Sequence, residues 1–118
     1  MTENSSYLGS IHVTPRAIAT IAYHEAMQSY GVVGFTTKNL MDGLANVLVK
    51  DPTKGVDVHY DGQYIIIDLY VIVEYGTRIT SVADSVSHTV RFKVEKALGM
   101  PVQAVNIHIQ GLRISNID

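Results

Sequence analysis

The sequence predicts an α+β fold: a two-layer sandwich in which two main helices lie on one face of an antiparallel-rich sheet of about four to five strands. One observation is a strand-like run at residues 60–75, and another is a stripe of apolar residues at helical spacing along residues 82–98. The third is an apolar fraction of 47% in 118 residues, which is enough for one domain with its own core. The order of predicted elements favours a ferredoxin-like split βαβ arrangement.

The run at residues 60–75 is rich in β-branched and aromatic residues and predicts the longest strand. Successive side chains of a strand point to opposite faces. One face would carry core-like residues: Ile65, Ile67, Leu69, Val71, Val73 and Tyr75. The other would carry a mixture of acid, phenol and aliphatic groups: Tyr64, Ile66, Asp68, Tyr70, Ile72 and Glu74. We expect the first face to build the core and the second to carry the function.

The remaining elements are predicted from caps, chain breakers and periodicity. The first half is predicted to contain a disordered tail at 1–8, a strand at 10–13, a helix from Thr14-Pro15 to near Ser29, a strand at 32–36 and an undecided segment at 38–50. A loop at 51–55 and a strand at 56–60 follow, and a type I′ turn at Asp61-Gly62 leads into the longest strand. The second half is predicted to contain a helix that starts with a capping box at Ser81 and Asp84 and ends at Gly99, and a strand at 104–114. Gly111 interrupts the alternation of the last strand and predicts a bulge. Residues 9–118 are expected to form a single domain.

Composition argues against several functional classes. The chain has no cysteine, so it can form neither a disulfide nor a thiolate metal site. Nine basic and eleven acidic residues give a net charge of −2, and no nucleic-acid partner is expected. The chain has no signal-peptide features, and no apolar run is long enough to insert into a membrane as a helix. No catalytic or phosphate-binding motif occurs, so no catalytic residue and no cofactor are predicted, and an enzyme or metal protein stays the weaker alternative from the residues alone.

Histidines and carboxylates gather on the predicted open face of the sheet. They are His12, His59 and His108 together with Asp57, Asp68 and Glu74. Imidazole and carboxylate groups together suit a divalent metal ion. No tight ligand spacing supports such a site, and alternating strands place polar groups outward in any case, so no metal ligand is predicted.

The same face is a candidate interaction surface. Tyrosine and isoleucine among a few charges are typical of a protein interface, although an ordinary solvated sheet is the main alternative. The candidate interaction residues are Asp68, Tyr70, Ile72, His108 and Tyr64 on this face, and Phe92 on the outer side of the second helix. Tyr64 and Tyr70 could stack on RNA bases, but the neighbouring Asp68 and Glu74 would repel phosphate.

Five blocks of the sequence carry a family resemblance. They are GSIHVTP at 9–15, GVVG at 31–34, KGVDV at 54–58, IDLYVIVEYG at 67–76 and VNIHIQGL at 105–112. Together they resemble the bacterial alkaline shock protein family, also described as an envelope stress response or general stress family and best known from Gram-positive bacteria. The resemblance spans residues 9–114 and implies that Gly76 and Gly111 release strands, while Tyr75 caps the core face.

The resemblance also implies a function. It points to a non-enzymatic interaction or scaffold protein of the envelope stress response, located in the cytoplasm and recruited to the inner face of the cell membrane. Its partners would be a second copy of itself, a membrane-anchored protein, or both. The family offers no agreed catalytic residues to carry over. The alternative from a different class is a nucleic-acid or small-ligand binding module.

Overall fold

The structure is a computed structural model that describes residues 14–37 and 48–114. Its elements are helix α1 (Pro15–Met27), strand β1 (Val32–Phe35), helix α2 (Pro52–Gly55), strand β2 (Val56–Tyr60), strand β3 (Ile65–Glu74), helix α3 (Ile79–Leu98) and strand β4 (Ala104–Arg113). This confirms the predicted α+β fold. The predicted tail at 1–8, the strand at 10–13 and most of the undecided segment at 38–50 lie outside the described residues.

Strand β3 is the centre of a four-stranded sheet. Strand β2 pairs antiparallel with its first half, where Tyr60 lies opposite Ile65, and β1 pairs antiparallel with its second half, where Phe35 lies opposite Val71. Strand β4 runs parallel to β3 along the other edge. Both edges of β3 are therefore hydrogen-bonded, as the backbone polar groups of a buried strand require.

The helices lie on one face of this sheet and close the core. Every alternate side chain of β3 on that face is fully buried: Ile65, Ile67, Leu69, Val71 and Val73. Helix α3 buries Val82, Val86, Val90 and Val94, and α1 buries Ile18, Ala19, Ala22 and Ala26. Burying a side chain of valine or leucine size stabilises the fold by about 1.5–3 kcal/mol. The apolar stripe predicted along residues 82–98 is buried through Val94, whereas Ala97 near its end is exposed.

Strands β3 and β4 are parallel neighbours, and parallel neighbours need a long crossover connection. Helix α3 is that connection. The β3–α3–β4 segment is thus a βαβ unit. Helix α3 ends as predicted, with Gly99 in the left-handed conformation at a φ of 71°. The complete ferredoxin-like arrangement stays a prediction, since the predicted first strand lies outside the described residues.

The helix starts agree only in part with the sequence. The Thr14 side chain accepts a hydrogen bond from the Ala17 N–H at 3.1 Å, which confirms the predicted start of α1. The predicted loop at 51–55 is instead the single turn α2, because Asp51 caps it by accepting from Thr53 N–H at 3.0 Å. The predicted capping box at Ser81 is also wrong, since α3 begins earlier, after Arg78, and no side chain of the described residues caps it.

The β2–β3 hairpin has a four-residue loop at 61–64, and the predicted type I′ turn at Asp61-Gly62 is wrong. The Asp61 carboxylate accepts hydrogen bonds from the N–H groups of Tyr64 and Gln63, both at 2.9 Å. A side chain thus makes the bonds that a tighter turn would form between backbone groups. The hydrogen bonds from Tyr64 and Gln63 also lower the pKa of Asp61.

The ends of β3 and β4 depart from simple alternation. Strand β3 stops at Glu74, and Tyr75 is 64% exposed, so the expectation that Tyr75 caps the core face is wrong. In β4, Ile109 lies opposite Val71 and Gly111 lies opposite Ile72, which leaves Gln110 as an extra residue. The predicted bulge at Gly111 is confirmed.

We predict that Gly31→Ala destabilises the fold more than Gly62→Ala. Both glycines have positive φ angles, of 90° and 94°, but a Cβ on Gly31 would lie 2.6 Å from Val82 Cγ2, whereas one on Gly62 would meet no atom of the described residues within 4 Å. Gly62→Ala should cost about 1–2 kcal/mol for backbone strain alone. Gly31→Ala should cost about 2–4 kcal/mol, because the clash adds to that strain. Urea unfolding measures both, and equal losses would contradict the packing of Gly31 on α3.

Candidate functional site

The candidate site lies on the face of the sheet opposite the helices, which we call the outer face. Its residues are Asp57 and His59 of β2, Ile66, Asp68, Tyr70, Ile72 and Glu74 of β3, and Asn106 and His108 of β4. Asp68 stands at the middle of this face, opposite Asp57 on one side and Asn106 on the other. The strand register therefore decides which polar side chains meet.

Both strands beside this part of β3 direct polar groups at the Asp68 carboxylate. From β4, His108 Nε2 lies 3.0 Å from Oδ1, and Asn106 Nδ2 donates to the same oxygen at 3.0 Å. From β2, His59 Nε2 lies 3.7 Å from Oδ2. We call these four residues, together with Tyr70, the Asp68 cluster.

The Tyr70 ring holds the His108 imidazole in place. The two residues are register partners on β3 and β4, and their rings stack with centroids 4.6 Å apart and planes 9° apart. Cross-strand pairs of this kind stabilise a sheet and restrict side-chain freedom. The side chain of His108 is 43% exposed and that of Asp68 is 15% exposed, so the cluster presents its imidazole and shields its carboxylate.

The charge of Asp68 is maintained by its neighbours. Burial raises the pKa of this carboxyl, but the hydrogen bonds from His108 and Asn106, together with the charges of His108 and His59, outweigh it and lower the pKa below the ordinary value of 3.8. Asp68 is therefore an ionised acceptor at neutral pH. Within the described residues, no group of three or more histidine, aspartate or glutamate side chains could hold a metal ion.

A cavity of about 520 Å³ adjoins the cluster at the hairpin end of the sheet. His59, Asp61, Tyr64, Ile66 and Gln103 contribute to its lining. Tyr64 is 50% exposed at this end. The predicted residue Tyr64 therefore lies beside the Asp68 cluster rather than in it, and His59 belongs to both places.

The other end of the outer face is covered, and Ile72 is not available there. Ile72 points outward as predicted but is only 4% exposed. Its register partner Gly34 lies under Leu48, whose Cδ1 would be 3.0 Å from a Cβ on that glycine. Thr36 at this end is also fully buried, and its Oγ1 has no hydrogen-bond partner among residues 14–37 and 48–114. The expectation that Ile72 is an exposed interaction residue is thus wrong.

Phe92 lies apart from the outer face, on α3 in the helix layer. It is 59% exposed, as the sequence predicted, and Lys96 Nζ lies 5.8 Å from its ring centroid. The predicted set thus divides: Asp68, Tyr70 and His108 come together, Tyr64 adjoins them, and Ile72 and Phe92 do not. Alternation placed His59 on this face, but only the strand register shows that His59 Nε2 lies 3.7 Å from Asp68 Oδ2 and that Asn106 donates a hydrogen bond to Asp68 Oδ1.

Comparisons with known proteins show what the chain is similar to. Residues 3–114 match the family of alkaline shock protein 23, whose description is "cell envelope-related function". The uncharacterized protein YloU of Bacillus subtilis is 41% identical over 110 residues, covering 92% of each chain. The uncharacterized protein Spy1614 of Streptococcus pyogenes is 31% identical over 108 residues, covering 90% of this chain and 89% of the relative. No solved structure matches. In the described part of the chain, no helix combines the length and apolar character needed to cross a membrane.

We predict that Asp68 makes stability depend on acid pH. Because its pKa is lowered in the folded protein, its contribution is present above the unfolded-chain value of 3.8 and is lost as pH falls through the folded-state value. At neutral pH, Asp68→Asn should lower the free energy of unfolding by about 1 kcal/mol. This difference from the wild type should shrink toward zero in urea unfolding series carried from pH about 6 down to about 2.5. A difference that stays constant with pH would contradict the assignment.

Proposed function

Because the chain belongs to the alkaline shock protein 23 family, which has a cell envelope-related function, we propose that it is a non-enzymatic interaction or scaffold protein of the envelope stress response or of envelope homeostasis. The observation that carries this proposal is the Asp68 cluster. It holds an exposed imidazole in one orientation beside a shielded, ionised carboxylate. Fixed polar groups of this kind lose little conformational entropy when a partner binds.

The surroundings of the cluster support a protein partner. Tyr64 and Ile66 add apolar and aromatic area next to the polar groups of Asp68 and His108. Binding hot spots in protein interfaces combine buried aromatic anchors with a few oriented polar groups. The partner we propose is a protein anchored in the cell membrane, which would hold this chain at the inner face of the membrane from the cytoplasm.

Site-specific photocrosslinking in cells tests this proposal. Benzoylphenylalanine in place of Tyr64 should form crosslinks to a membrane-fraction protein, because this position borders the proposed surface. Benzoylphenylalanine in place of Tyr30 is the matched control, since Tyr30 is 79% exposed but precedes β1, away from the outer face. His108→Ala should reduce the crosslink from position 64 by about tenfold, because it removes the oriented imidazole.

The proposal fails under defined outcomes. Equal crosslinking from positions 64 and 30 would contradict a localised surface. Unchanged crosslinking after His108→Ala, in a variant whose circular dichroism and unfolding match the wild type, would contradict the role of the Asp68 cluster.

The cavity at the hairpin end favours a second candidate, a small-ligand binding function. A volume of about 520 Å³ is within the usual range for small-molecule sites. Its two tyrosines, Tyr60 and Tyr64, and the Asp61 carboxylate suit a planar heteroaromatic amine. Nucleic acid is the less favoured ligand, because the net charge of −2 provides no broad basic surface.

We predict that, if this second function holds, heteroaromatic amines perturb the backbone amides of His59, Asp61 and Tyr64 in NMR titrations. The amide of Phe92, on the far layer, is the internal control and should not shift. Tyr64→Ala should weaken the binding, because it removes a stacking surface worth about 1–3 kcal/mol. Shifts spread evenly over the protein, or none at all up to about 1 mM ligand, would contradict this function.

A further inference from the structure

A second cavity lies at the end of the sheet where β3 stops and α3 begins, opposite the hairpin end. Its volume of about 340 Å³ is within the usual range for small-molecule sites. The side chains that line it are aromatic, aliphatic, hydroxyl-bearing and cationic: Tyr30, Val82, Thr77, Ser81, Ser85 and Arg78. It shares no lining residue with the cavity at the hairpin end and none with the Asp68 cluster. It is therefore a separate candidate site.

The walls of this cavity are held in place by contacts of the chain with itself. The Glu74 N–H donates to Gly31 O at 2.8 Å, and Gly31 packs so closely on α3 that a Cβ would lie 2.6 Å from Val82 Cγ2. Tyr30, the residue before Gly31, is thereby placed beside α3. On the other side, the Thr77 hydroxyl donates to Glu74 O at 2.7 Å and orders the turn before α3. A ligand that enters this cavity has little structure to order, which favours its binding.

Arg78 determines the charge of the ligand. Among the described residues that line the cavity, Arg78 alone carries a charge. Its side chain is exposed and makes no ion pair or hydrogen bond within residues 14–37 and 48–114. The carboxylates that flank this segment in the chain, Glu74 and Asp84, do not contribute to the lining. One guanidinium matches one carboxylate, with which it forms two parallel hydrogen bonds. Phosphate groups are instead recognised by clusters of arginines.

The other lining residues determine the uncharged part of the ligand. Tyr30 is 79% exposed, so its ring is open to contact by a second ring. Aromatic pairs in offset-stacked or edge-to-face geometry gain more than their area burial alone provides. Val82 is 3% exposed and closes the inner side of the cavity with an apolar surface. The hydroxyls of Ser81 and Ser85 can each donate a hydrogen bond to a carboxylate oxygen.

We propose that this cavity binds a small aromatic carboxylate, with its ring against Tyr30 and Val82 and its carboxylate on Arg78. This inference goes beyond the interaction function, because it concerns a free small molecule at the opposite end of the sheet from Tyr64. It also gives the two cavities ligands of opposite charge. The Asp61 carboxylate at the hairpin end suits an amine, whereas Arg78 suits an acid.

An NMR titration with phenylpropionate tests this proposal. The flexible linker of this probe lets its ring and its carboxylate reach Tyr30 and Arg78 separately. The backbone amides of Thr77, Arg78 and Ser81 should shift with a Kd of about 1 mM or tighter, whereas the amide of Asp61 should not shift. Phenylpropionamide is the matched control probe, because it has nearly the same shape without the charge. It should bind at least about tenfold more weakly.

Variants separate the contributions of the charge and the ring. Arg78→Gln should weaken the binding of phenylpropionate at least about tenfold. Arg78→Lys should weaken it at least about threefold, since lysine keeps the charge but lacks the planar fork. Arg16→Gln is the matched control: it removes the same charge from the first turn of α1, at the hairpin end, and should change the Kd less than about twofold. Tyr30→Ala should weaken the binding about fivefold, because the ring contact is lost.

These variants should fold, because Arg78 makes no side-chain capping bond and Tyr30 is exposed. Three results would overturn the proposal: no shifts up to about 10 mM phenylpropionate, equal binding of the acid and the amide, and a folded Arg78→Gln variant that binds like the wild type. Inorganic phosphate that binds as tightly as phenylpropionate would overturn it too, since the site would then not recognise the ring. Photocrosslinking from position 64 measures a protein contact on the outer face, so either proposal can fail without the other.

Discussion

The fold depends on the pairing of β3 along both of its edges. This strand carries the fully buried side chains at the centre of the core, and its backbone polar groups are satisfied by β1 and β2 on one side and by β4 on the other. A shift of one residue in any of these pairings would put the core-facing side chains of the shifted strand on the outer face. The burial of one face therefore sets the register of the whole sheet, and the helices are positioned by the same requirement.

The Asp68 cluster is a consequence of that register. Asp68 stands on the central strand, where neighbours from two strands can reach one carboxylate, and it retains its charge because His108 and Asn106 bond to it. A carboxylate at this place would be costly without such partners. The stacked ring of Tyr70 then limits the freedom of the imidazole. The core on one face and the candidate site on the other are thus produced by the same set of strand pairs.

Features with a local cause were predictable from the sequence. The alternation along β3, the valine stripe of α3, the stop at Gly99 and the bulge at Gly111 each follow from the periodicity or backbone preference of nearby residues. Features with a distant cause were not. Ile72 has the alternation of an exposed residue, yet it is buried on a part of the outer face where Leu48 packs on Gly34. The residues of the site were predicted, but their hydrogen bonds were not, because the contacts of Asp68 depend on the register between β3 and β4. The hairpin loop was predicted wrongly for a different reason. The Asp-Gly pair is compatible with a two-residue turn, but the Asp61 side chain accepts two backbone hydrogen bonds in the four-residue loop that the structure has.

The parallel pairing of β3 with β4 also affects the order in which the molecule can form. Asp68 and Asn106 are 38 residues apart in the chain, and α3 lies between them. During synthesis, the β2–β3 hairpin can form early from local contacts, but the β4 edge of β3 stays unpaired until β4 has left the ribosome. The Asp68 cluster is therefore assembled only in a chain whose β4 has docked on β3, and a partner that recognises the cluster would distinguish such molecules from nascent ones.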